Sequence, residues 1–210
     1  NEATLIPRPE TEYMINSVTE YISLKLKAWS LKLGQNVLLD IWTGCGVLGI
    51  SVLLQNPGFF QEAIFTDYYA NALAVAKENY VSLVKNFSWK VQFIESDLLD
   101  FLNNSTLYTQ HSEFILVANL PYIPEWTFDE NAADNVKKWE PKPAFVWGDD
   151  GLIYYRKMFE QLFSLRLKAW GLRLDHLMMF LEMMTWQVDI LRAEFGDRME
   201  FEEVKTFHFN

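Results

Sequence analysis

Apolar residues recur along this chain at two spacings, and the switching between them lays out its elements. Tyr13, Met14, Val18, Tyr21 and Ile22 fall at helical spacing behind the two prolines of "IPRPE", so a helix is predicted from Glu10 to about Lys27, entered from extended chain. "NVLLDI" reads as a buried strand, "GVLGISVLLQ" as a helix, "EAIFTD" as a second strand and "NALAVAKENYVSLVK" as an amphipathic helix. The alternation continues through "KVQFIESD", a short helix at "LLDFLNN" and the strand that opens "EFILVANLPYIP". After a polar, irregular region from Glu125 to Trp147 come a long helix near Leu152–Leu167, a strand at "HLMMFLE" and a helix at about Trp186–Phe195. The closing "MEFEEVKTFHF" suits edge strands. Strand and helix in strict alternation predict a parallel sheet with helices on both faces.

Composition narrows this picture. A length of 210 residues suits one well-buried domain, and 50% hydrophobic with 22% charged residues excludes a disordered chain. No apolar run reaches the roughly 18 residues of a bilayer span, and "NEATLIPRPE" has neither the basic nor the apolar part of a signal peptide. Cys45 is the one cysteine, so no internal disulfide can form and a cytoplasmic setting is expected. The 28 acidic against 18 basic residues leave a formal charge of -10, which favours a protein or small-molecule partner over nucleic acid. His111, His176 and His208 are scattered without metal-ligand spacing, so no metal is expected.

In an open parallel sheet, ligands bind where the strands end. Asp40 ends the first strand and Trp42-Thr43-Gly44-Cys45-Gly46 follow it, Asp67 ends the second, Asp97 the third, and Asn119-Leu120-Pro121-Tyr122 the fourth. Asp67 can accept the hydroxyls of a ribose, although Asp67 and Asp97 could equally cap helices. Read as W-T-G-C-G with Gly49 further on, the loop departs from the dinucleotide pattern and favours a nucleoside ligand such as S-adenosylmethionine. In "NLPYIP", Asn119 joins an acceptor and a donor on one planar group, Pro121 leaves its carbonyl free, and Tyr122 offers an aromatic face. Such a set can hold a planar amide or amine nitrogen with its lone pair aimed at an electrophilic methyl group.

Four segments then carry a resemblance: "LIPRPETE", "LLDIWTGCG", "TDYYANALAVAKEN" and "ILVANLPYIP", in this order and spacing, with "EPKPAFVWGDDGLIYYRKM" behind them. Together they resemble the HemK-like (PrmC-type) release factor glutamine methyltransferases, and "PRPETE" is the most specific piece. The resemblance implies a doubly wound, Rossmann-like class I methyltransferase fold of seven strands, mostly parallel, with an antiparallel C-terminal edge. It implies S-adenosylmethionine as cofactor and S-adenosylhomocysteine as product, and as substrate the glutamine of a Gly-Gly-Gln loop in a peptide chain release factor. Trp42, Thr43, Gly44, Cys45 and Gly46 would then cradle the methionine part, Asp67 the ribose, and Asp97 with Leu98 the adenine, with Asn119 also in contact with the cofactor. Asn119, the Pro121 carbonyl and Tyr122 would hold the substrate amide, with Pro9, Glu10 and Thr11 at the rim.

The departures are informative. Leu120 stands where that family mostly has proline, and N-L-P-Y also resembles rRNA adenine dimethyltransferases, which keeps an adenine-directed rRNA or DNA methyltransferase as an alternative. The family's N-terminal helical domain is expected to be absent, leaving residues 1–210 as a single catalytic domain. Trp42 and Trp147 stand where the family has glycine, and Trp29 and Trp170 lie where glycine would suit a turn; a reassigned UGA codon rendered as tryptophan would produce this pattern. A bulky residue at position 42 is expected to force the loop open or to occupy the methionine pocket, so a non-catalytic homologue with a blocked loop is a further alternative. "SLKLKAWSLKL" at Ser23–Leu33 and "SLRLKAWGLRL" at Ser164–Leu174 match closely, each where a helix hands over to a strand, and carry no functional reading.

Overall fold

The computed structural model of the chain describes residues 4, 6–27, 36–85, 89–104, 113–131, 137–138, 142–168 and 177–201. Within these, β1 is Asn36–Ile41, β2 Phe60–Asp67, β3 Lys90–Glu95, β4 Glu113–Ala118 and β5 Leu177–Leu181. The helices are α1 (Pro9–Lys27), α2 (Val47–Gln55), α3 (Ala70–Leu83), α4 (Glu125–Asn131), α5 (Ile153–Lys168) and α6 (Thr185–Phe195). The five strands form one sheet in the order β3-β2-β1-β4-β5, and every neighbouring pair is parallel.

β1 is buried at all six positions because both of its faces are covered, as its unbroken apolar run requires. Its side chains alternate between two layers. Leu38 packs with Met14, Val18, Leu48, Phe65 and Val117 under α1 and α2, whereas Val37, Leu39 and Ile41 pack with Leu116, Tyr155, Phe159 and Leu191 under α5 and α6. In register, Asp40 sits between Phe65 of β2 and Val117 of β4. The connections leave β1 in opposite directions at this point, so a crevice opens above the carboxyl ends of β1 and β4.

The alternating elements fall where the spacing puts them. The region from Glu125 to Trp147 is less irregular than expected: it holds α4 and a short 3-10 helix at Lys142–Ala144. Pro124 starts α4, its carbonyl accepting both the backbone N–H of Thr127 at 3.0 Å and the Thr127 hydroxyl at 2.9 Å. The polar composition that suggests a loop here is the exposed side of a short helix. Of the expected seven strands, five lie among the described residues. The segment proposed for the antiparallel edge lies outside them from residue 202, as do Trp29, Trp170, His111, His176 and His208. The matching segments begin in the last turns of α1 and α5, and their residues 28–33 and 169–174 also lie outside the described residues. No helix among the described residues is long and apolar enough to cross a membrane.

Candidate active site

The loop after β1 turns through three residues of positive φ: Trp42 at 60°, Gly44 at 56° and Gly46 at 80°. Glycine adopts this conformation freely, whereas a side chain there costs about 1–3 kcal/mol. Trp42 does not force the loop open. The Thr43 N–H donates to the Thr66 carbonyl at 2.8 Å, Gly46 N–H to the Thr43 carbonyl at 2.9 Å, and Asn79 Nδ2 to the Cys45 carbonyl at 2.8 Å. The Trp42 ring instead joins an aromatic cluster, with centroids 4.5 Å from Tyr154, 6.2 Å from Tyr68 and 6.3 Å from Tyr69. Trp147 packs edge-on against the same Tyr154 ring at 5.0 Å and takes no positive φ. Position 42 therefore has a backbone built for glycine, and position 147 does not.

Two buried carboxylates tie the loop down. Asp40 Oδ2 accepts the Thr43 hydroxyl at 2.6 Å and the Gly49 N–H at 3.0 Å, and burial pushes its carboxyl up to about 7 against the pull of those two bonds. Asp67 Oδ2 accepts the Gly44 N–H at 2.9 Å and Oδ1 the Tyr69 N–H at 2.9 Å, while burial raises its carboxyl too. Asp67 is thus no helix cap: Tyr69 takes that place, without a side-chain bond. A Cβ at Gly49 would lie 2.5 Å from Asp40 Oδ2 and 2.6 Å from the Phe65 ring, so glycine is what lets α2 lie against the strands. Gly44, Gly46 and Gly49 carry the spacing G-x-G-x-x-G in full, which corrects the expectation that the loop departs from it. The spacing alone therefore does not separate a dinucleotide from a nucleoside ligand.

A cavity of about 220 Å³ opens above this loop, lined by Thr11, Asp40, Trp42, Thr43, Gly44, Cys45, Asp67 and Asn119 among others. That is below the roughly 300–1,000 Å³ usual for a ligand site. Of the residues expected from the sequence, Trp42, Thr43, Gly44, Cys45, Asp67, Asn119 and Thr11 thus meet at one cavity. Gly46, Asp97, Leu98, Pro121, Tyr122 and Pro9 do not line it, and Glu10 lies in the first turn of α1. Asp97 is held in an ion pair with Lys157, its carbonyl accepts Gln161 Nε2 at 3.0 Å, and Leu98 is buried with φ 54°. Tyr154, which packs on Trp42, has its hydroxyl pushed up first by burial and then by Tyr69, Asp97 and Tyr68. Thr43, Gly44, Cys45 and Asp67 give the cavity the bare backbone and the strand-end carboxylate that a nucleoside cofactor requires.

Asn119 and Tyr122 are brought together by a residue absent from the sequence reading. Glu182, just past β5, accepts Asn119 Nδ2 at 3.1 Å and the Tyr122 hydroxyl at 3.0 Å. Gln187 in the first turn of α6 spans the same region, Nε2 donating at 2.7 Å to the carbonyls of both Tyr122 and Asp150. The signal for Glu182 is the one that singled out Asp40 and Asp67: a carboxylate at the end of an apolar strand, here closing "HLMMFLE".

No protein-family model matches the chain. Curated relatives do. The chain is 36% identical over 163 residues to the release factor glutamine methyltransferase of Bacillus anthracis, covering 77% of this chain and 52% of that one. To the protein of the same name from Pasteurella multocida it is 30% identical over 183 residues, covering 84% and 57%. To that from Flavobacterium psychrophilum it is 37% identical over 164 residues, covering 76% and 50%. The chain therefore spans about half the length of the curated relatives it matches. Among solved structures, the human METTL16 catalytic domain in complex with the MAT2A 3′UTR hairpin 1 superposes with a TM-score of 0.62 at 14% identity, covering 94% of this chain and 64% of that one. The N-terminal domain of human METTL16 in complex with SAH gives 0.58 at 17% identity, covering 93% and 64%. At these identities the structures establish the fold, and the sequence matches establish the kinship. The chain is a homologue of the release factor glutamine methyltransferases and has the class I methyltransferase fold.

Proposed function

We propose that the chain transfers a methyl group from S-adenosylmethionine to the side-chain amide nitrogen of the glutamine in the Gly-Gly-Gln loop of a peptide chain release factor, in the cytoplasm, leaving S-adenosylhomocysteine. The names of the relatives support the reaction class. The observation that carries it in this chain is the position of Asn119: its amide stands on the cavity wall one residue past β4, beside the loop of β1 that Asp40 and Asp67 hold.

When bound, the sulfonium of S-adenosylmethionine supplies a methyl group that is already electrophilic. The protein's task is then to place a weak nucleophile. Gly44 and Cys45 border the methionine end, with open space around the Gly44 α-carbon, and Asp67 presents its carboxylate to the ribose hydroxyls. Asn119 Oδ1 and the Pro121 carbonyl accept the two N–H bonds of the glutamine amide, Tyr122 packs beside it, and Pro9, Glu10 and Thr11 form the rim. Held this way, the nitrogen lone pair lies along the line of displacement, and one amide proton leaves to solvent once the new C–N bond has formed. Positioning supplies the catalysis.

The test is methyl transfer from labelled S-adenosylmethionine onto a release factor and onto its glutamine-to-alanine variant. Label is expected on the first alone. Asn119→Ala should lower turnover by about 100-fold or more with cofactor affinity retained, and near-normal turnover would dismiss this site. Label on the alanine variant would dismiss the substrate. The adenine-directed alternative draws on Leu120, which is buried at 1% exposure in the core under α5, so packing accounts for it.

A further inference from the structure

Both polar side chains of the N-L-P-Y turn converge on the carboxylate of Glu182, one on each oxygen. That carboxylate is itself held from the backbone. The Glu182 N–H donates to the Ala118 carbonyl at 3.3 Å, and the Tyr155 hydroxyl donates to the Glu182 carbonyl. Tyr155 is fully buried in the core, so the anchor reaches from the centre of the molecule to the cavity wall. The turn is fixed a second time through its main chain, where Gln187 Nε2 holds the Tyr122 carbonyl while its Oε1 accepts the Met184 N–H at 2.9 Å.

The chemistry of the Asn119–Glu182 pair decides which way the amide faces. A primary amide has one oxygen that only accepts and one nitrogen that only donates, and a half-turn of the group exchanges them. A carboxylate only accepts, so it admits Nδ2 and repels Oδ1, and the bond is strengthened by its charge. With Nδ2 committed to Glu182, Oδ1 is turned to the other side of a residue that lines the cavity. We propose that Glu182 is the positioning residue of this site, fixing the Asn119 amide in the one orientation that offers the substrate an acceptor. The inference rests on the amide-methylating reading above and adds a basis for selectivity to it. A nitrogen bearing hydrogens is welcomed at that oxygen, and a carboxylate in its place, as in glutamate, meets only repulsion. Glutamine at position 182 would remove the constraint without changing its shape, because its own amide can face Asn119 either way round.

The experiment pairs a spectrum with kinetics. In 15N-labelled protein, the Asn119 side-chain signal, assigned by its loss in Asn119→Ala, should show one proton shifted downfield and slow to exchange. In Glu182→Gln that shift should collapse. With a release factor as substrate, Glu182→Gln should lose about two- to tenfold in kcat while its affinity for S-adenosylmethionine and its KM for the release factor stay as in the parent. An unmoved Asn119 signal overturns the proposal, as does a parental kcat, and so does a cofactor affinity that falls in step with kcat. Should the parent protein itself fail to methylate the release factor, the substrate reading fails, and the amide spectrum alone decides the role of Glu182.

Discussion

At the scale of single residues, position 42 shows how one side chain can preserve a loop and still alter what it receives. The backbone there takes φ 60°, and the turn keeps its hydrogen bonds at Thr43, Cys45 and Gly46. The cost of that conformation is offset by a stacked contact with Tyr68 and a tilted one with Tyr154, each aromatic pair contributing about 0.5–1.5 kcal/mol beyond its buried area. What changes is the wall of the cavity, part of which the indole forms. Trp42→Gly should therefore tighten S-adenosylmethionine binding by about tenfold or more, measured by calorimetric titration of both proteins. Equal affinities would show that the ring lies clear of the ligand, and would remove the case for a blocked, non-catalytic homologue.

Elements are where the contact between α2 and the sheet is decided. Gly49 lies against the Asp40 carboxylate and the Phe65 ring with no room for a methyl group, so Gly49→Ala has to push the helix outward or swing Asp40 from its two hydrogen bonds. The expected loss is about 1–3 kcal/mol, read as a lower denaturant midpoint with an unchanged slope. A neutral result would mean that α2 shifts freely. The elements themselves were legible in the sequence because their signals are local: five apolar runs, the helical spacing between them, and strand-end residues that the parallel fold must gather on one side. Thr43, Asp67 and Asn119 follow from that rule alone. Two things did not follow. Glu182 acts through residues 63 and 60 positions away, and nothing local to "HLMMFLE" says which partners the register will bring to it. Asp97 pairs with a lysine from α5, and that pairing also depends on tertiary packing.

For the molecule as a whole, the buried carboxylates make stability depend on pH in an uncommon direction. Asp40 holds its proton up to about pH 7, against 3.8 in its ordinary environment. Between those values the folded chain keeps a proton that the unfolded chain has released, so stability falls as pH rises across that window, and Asp67, raised as well, acts in the same sense. The three-unit difference is worth on the order of 4 kcal/mol, or roughly 10 °C in melting temperature. Asp40→Asn keeps an oxygen able to accept from Thr43 and Gly49, and should flatten most of the decline between about pH 4 and pH 7 in thermal melts. Parallel curves for the two proteins would assign the pH dependence elsewhere.

The pairing of β4 with β5 has a consequence for the order in which this protein comes to life. β1, β2, β3 and β4 follow one another along the chain, but the partner that covers the outer edge of β4 is made only after α5. Asn119 is synthesised with β4, while the carboxylate that turns its amide comes 63 residues later. A ribosome-bound chain thus carries Asn119 well before the carboxylate that accepts its Nδ2. The fifth strand brings that carboxylate, and at the same moment covers the edge of β4 on which other chains could assemble.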